Sequence, residues 1–95
     1  MPRGALTDEI KEISNKFLGR EIDQEELRLY PYLDYCLKNF NRYEQQKLSL
    51  EENKIMMQLC MEGHMKVTDR TVEVTKEFFN YLQEVLWASY IENKL

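Results

Sequence analysis

Thr68-Asp69-Arg70-Thr71-Val72-Glu73-Val74-Thr75-Lys76-Glu77-Phe78-Phe79-Asn80-Tyr81-Leu82-Gln83-Glu84-Val85-Leu86-Trp87-Ala88-Ser89-Tyr90-Ile91 is a run without a single Gly or Pro. Val72, Thr75, Phe78, Phe79, Leu82, Val85, Leu86 and Tyr90 recur at helical intervals and form one broad stripe. Thr68 stands as an N-cap, and Val67 with Val72 as a hydrophobic staple around it. The pattern predicts a helix over 68–93, about 39 Å long at roughly 1.5 Å per residue. A compact domain of 95 residues is only about 32 Å across, so the last helix is expected to overhang its neighbours. Trp87, Ile91 and Leu95, spaced by four, lie off the main stripe, and Val74, Tyr81 and Ala88, spaced by seven, make a third line. One small core hardly covers all three. Tyr81, Trp87, Tyr90, Ile91 and Leu95 are therefore the expected interface, for a homodimer or another protein.

The preceding segments also carry helical signals. Leu6, Ile10, Ile13 and Phe17 share one face, with Thr7 as cap and Gly19 as stop, which predicts a helix near 7–18. Asp23 and Glu26 have capping-box spacing, bracketed by Ile22 and Leu27, and open a helix over 24–46 that is expected to break at Pro31, as two helices or as one kinked helix. Its stripe is Leu33, Cys36, Leu37, Phe40 and Tyr43. Ser49 and Glu52 form a second capping box, and Gly63 ends a third helix over 50–62. Ile55, Met56, Met57, Leu59, Cys60 and Met61 go most of the way round that helix, which reads as a central core element. Methionine-rich faces also serve as adaptable partner grooves. The fold expected is all-α: one domain over 1–95, a compact bundle of about four helices with a long C-terminal helix.

Composition narrows the role. Apolar residues make up 43% and charged residues 32%, as in an ordinary globular protein. The net charge is −4, spread over both halves of the chain, with no basic arm. Nucleic-acid binding draws on a basic excess, so it is not the favoured role. The N-terminal residues lack the apolar core of a signal peptide, and no apolar run is long enough to span a membrane. Cys36 and Cys60, outside any CxxC spacing, read as buried free thiols in a cytoplasmic protein.

No catalytic pattern emerges. His64 is the one histidine and stands beside Gly63, where a solvated turn residue is expected. It has no Cys pair at metal-binding spacing to join. Glu25-Glu26 and Glu51-Glu52 are accounted for by the capping boxes, and Gly4, Gly19 and Gly63 are too scattered to cradle phosphate. Six tyrosines, with Tyr30, Tyr32 and Tyr35 clustered about Pro31, suit half-buried borders and contacts. Neither enzyme activity nor a cofactor or metal is expected.

From Leu48 onward the chain resembles, in outline, the helix-turn-helix region of LuxR/GerE-type regulators. Leu48-Ser49 and Glu52 resemble that family's helix opening, followed by Ile55, Met56, Leu59 and Gly63, then Arg70-Thr71-Val72 with Val74. The likeness departs at the positioning helix, for which the residues between Gly63 and Arg70 leave no room, and no membership is assigned. What the outline implies is a dimeric DNA-binding regulator with a helix-turn-helix-like region around 50–80. Lys66, Arg70, Thr71, Glu73 and Lys76 would then face the groove. The favoured expectation is a small cytoplasmic interaction module, an adaptor, inhibitor or regulator, using its apolar C-terminal helix for dimerisation or partner binding.

Overall fold

The computed structural model describes residues 5–42, 44–68 and 70–91, with backbone alone at 90 and 91. Four helices dominate: α1 (Asp8–Leu18), α2 (Gln24–Lys38), α3 (Leu50–Met61) and α4 (Lys76–Leu86). A small hairpin of β1 (Met65–Val67) and β2 (Val72–Val74) separates α3 from α4, so the all-α expectation holds only as a mostly helical fold. A short 3₁₀ turn, Gln45–Lys47, precedes α3.

α1 begins where expected. The Thr7 hydroxyl accepts from the Ile10 amide at 3.3 Å, and Gly19 closes the helix at φ 79°, donating to the Asn15 carbonyl. Ser14 is buried because its hydroxyl has two local tasks. It donates to the Lys11 carbonyl and accepts from the Ile22 amide, fixing the connection to α2.

α2 is the centre of the molecule, packing against both α3 and α4. Asp23 caps it by accepting from the Glu26 amide at 2.9 Å. The break expected at Pro31 does not occur. Leu27, Leu29, Tyr30 and Leu33 are all buried around it, and that packing carries the helix past the hydrogen bond a proline cannot donate. The helix ends at Lys38 rather than near 46. The side chain of Asn39 donates to the Tyr35 carbonyl, and Phe40 and Asn41 take left-handed backbones at φ 64° and 60°. Phe40, expected in the core stripe, is 90% exposed. Tyr43, the stripe's last member, lies outside the described residues. The turned chain brings Arg42 opposite Thr71 and lets the Val72 amide donate to the Asn41 carbonyl at 2.8 Å.

The capping box of α3 is complete, with Ser49 accepting from the Glu52 amide at 3.1 Å and the Glu52 carboxylate accepting from the Ser49 amide at 2.9 Å. At its end, Gly63 at φ 85° lets the His64 amide reach the Leu59 carbonyl and its own amide reach Cys60. This pair of bonds is the Schellman arrangement.

The fourth helix starts at Lys76, eight residues later than the hydrophobic spacing predicts. Residues 65–67 and 72–74 instead pair as antiparallel strands, Met65 with Val74 and Val67 with Val72. Their side chains alternate, Met65 and Val72 buried, Lys66 and Glu73 exposed, the two-residue period of a half-buried strand. Thr75, not Thr68, is the cap, its hydroxyl accepting from the Phe78 amide at 3.0 Å. From Lys76 the helix runs through Leu86 into a π-helical stretch, Trp87–Ile91. Phe78, Tyr81, Leu82, Val85 and Leu86 face the core. From 76 to 91 the helical path is about 24 Å long, and an overhang set by a start at Thr68 does not arise. Residues 92 and 93 lie outside the described residues.

Candidate functional site

Among the described residues, the largest group of exposed apolar side chains on one element belongs to α3. Leu50 is 69% exposed, Met57 65% and Met61 85%. With Lys54 they follow the spacing four, three, four, so they form one ridge along the helix. A trough of about 500 Å³ beside it is lined by Lys54, Met57, Gln58, Met61 and Glu62. The opposite face supplies Met56 and Leu59 to the core. α3 is thus a peripheral element, not the central one its all-round apolarity predicts.

Both ends of that face are held. The capping box fixes the N-terminal turn. At the other end Arg20, just after the Gly19 cap, grips Glu62 with two bonds of 2.8 and 3.0 Å. A third bond runs from Arg20 to Glu26 at 3.0 Å. The bond from Arg20 holds the Glu62 carboxyl below the usual carboxylate range, and Glu62 and Glu26 together raise the guanidinium pKa. Glu26 is buried, and the Tyr30 hydroxyl donates to it at 2.8 Å. Tyr81 reaches the Tyr30 hydroxyl at 3.0 Å. Burial pushes both phenols well above their ordinary range. Glu26 therefore does more than the helix capping its spacing suggests, since it anchors a buried polar chain.

The expected interface residues are dispersed. Tyr81 is a core residue of this chain, 3% exposed and stacked on Phe17 at 4.7 Å. Trp87 is 55% exposed. The side chains of Tyr90 and Ile91, and all of Leu95, lie outside the described residues. Of the alternative DNA contacts, Lys66 and Glu73 face each other across the strand pair, Arg70 is exposed in the hairpin turn, and Lys76 opens α4. Thr71 is half-buried and hydrogen-bonded to Thr68. These residues stand on a hairpin and a helix start, not on one recognition helix.

His64 is half-buried, not a solvated turn residue. Its ring packs against Phe17 at 5.2 Å and Phe78 at 5.6 Å. Cys36 and Cys60 are free, and burial raises both thiols. Among the described residues no group of His, Cys, Asp or Glu is arranged to hold a metal, and no helix is long and apolar enough to cross a membrane.

From sequence α3 reads first as core filling, with an adaptable partner groove as the alternative, because hydrophobicity alone does not separate a core methionine from an exposed one. The available signal was the polar set Lys54, Gln58 and Glu62 interleaved on the same side. Comparison with protein families, with curated proteins and with solved structures finds no match for this chain.

Proposed function

We propose that the protein is a small cytoplasmic interaction module, an adaptor, inhibitor or regulator without catalysis of its own, that docks through the outer face of α3. The observation that supports this reading is the ridge Leu50, Lys54, Met57 and Met61, held at both ends yet uncovered. Fully burying such a side chain is worth about 1.5–3 kcal/mol, and unbranched methionine adapts its shape to a facing surface. Pre-set helix ends reduce the ordering cost of binding. The C-terminal helix remains a second contact in this reading, through the exposed Trp87, for a homodimer or partner interface.

Replacing Met57 and Met61 together by Lys tests the proposal by sedimentation and by quantitative capture from the source cells. The variant is expected to keep its helical content and to lose self-association or a defined set of bound proteins. An oligomeric mass and a bound set identical to those of the wild type would refute the α3 reading.

A second reading, a dimeric DNA-binding regulator, draws on the hairpin that follows α3 and exposes Lys66 and Arg70. It expects salt-dependent retention of duplex DNA, lost on Arg70→Ala. Unchanged retention in that variant would remove the hairpin from consideration.

A further inference from the structure

α1 and α4 leave between them an open groove of about 630 Å³, on a different part of the surface from the α3 ridge. Its floor is apolar and aromatic, formed by Ile13, Phe17 and Tyr81. Its walls are acidic on both sides, Glu9 and Glu12 on α1, Glu77 and Glu84 on α4. Lys16 is the one cation among the lining residues. All four carboxylates belong to exposed residues, and none forms an ion pair with another described residue. Their charge is therefore available to a cationic partner.

We propose that this groove binds a cationic amphipathic helical segment of another protein, with its apolar ridge on Ile13 and Phe17 and its Lys or Arg residues directed to the two acidic walls. A helix suits this cross-section because it presents one apolar line with charged residues on both flanks. An extended strand sends alternate side chains away from the groove and reaches the two walls less evenly. Phosphate-rich partners and anionic lipid surfaces are repelled by the same walls. This inference does not rest on the α3 reading.

The test uses a labelled Leu/Lys amphipathic peptide of about 14 residues, nearly four helical turns, titrated into the full chain by fluorescence anisotropy. Two triple variants are compared, each removing the same charge from exposed positions. Glu12→Gln, Glu77→Gln and Glu84→Gln remove three of the four wall carboxylates. Glu21→Gln, Glu51→Gln and Glu73→Gln leave them intact. Exposed pairs each contribute a fraction of a kcal/mol, so the groove variant is expected to bind about tenfold more weakly, with the control close to wild type. Spermine is expected to compete poorly because it lacks an apolar ridge. Equal weakening in both variants would show attraction to net charge alone, and spermine matching the peptide would show a small-cation site. Either outcome, or the absence of saturable binding, would overturn the proposal.

Discussion

Glu26 shows how one side chain can be legible in its position and not in its task. Its place three residues after Asp23 marks a helix start, and Asp23 does cap that turn. The partners of the Glu26 carboxylate, Arg20 in the preceding connection and Tyr30 one turn on in α2, are close in sequence, but Tyr81 beyond them depends on how α4 meets α2, which local spacing does not encode. Glu26→Ala would remove the buried carboxylate that accepts from Tyr30 and Arg20, at a cost of about 1–3 kcal/mol, read as a lower midpoint in urea. The phenols also set a pH limit. Because burial raises Tyr30 and Tyr81 in the fold, the unfolded chain releases those protons first. Stability should be complete below the ordinary phenol value of 10.0 and fall as pH rises above it. The share of phenolate absorbance that disappears in a Tyr30→Phe variant should therefore rise in step with loss of helical signal, whereas its appearance in the intact fold would contradict the burial of this pair. Glu62 works at the other end of the scale. Its folded value lies below the usual 4.5, so its contribution is present above that value and is lost as pH falls towards the lowered one.

The elements were readable wherever a cap and a stop coincide. Thr7 with Gly19 and Ser49 with Gly63 define α1 and α3 almost to the residue. The errors fall where two periodicities overlap. Val72 and Val74 satisfy a strand's alternation as well as part of a helical stripe, and pairing with Val67 and Met65 decides for the strand. Thr75→Ala should then cost about 1 kcal/mol, the worth of a lost N-cap, measured by chemical denaturation. A helix begun at Thr68 would leave that substitution nearly silent. The end of α2 offers a sharper contrast. A core phenylalanine replaced by a small residue costs about 3–5 kcal/mol. Phe40 is exposed with a left-handed backbone, a conformation costing a non-glycine residue about 1–2 kcal/mol. Phe40→Gly is expected to leave the melting temperature unchanged or slightly raised. A fall of many degrees would place Phe40 in the core stripe after all.

Across the whole molecule, the four-helix arrangement follows from α2, whose buried residues Leu27, Leu29, Tyr30, Leu33 and Cys36 serve α3 and α4 at once. That division leaves α3 at the edge, which turns methionines that look like core filling into a surface. Apolar excess was visible along the chain, but the side it would face depended on a hairpin and a turn that helical periodicity conceals. The decisive measurement is photo-crosslinking in the source cells, with a benzophenone side chain placed singly at positions 57, 70 and 87. Docking through α3 predicts a discrete protein adduct at 57, either a second copy or another chain, that disappears when Met61 is also changed to Lys. Adducts confined to position 70 and sensitive to nuclease, or to position 87, would contradict it.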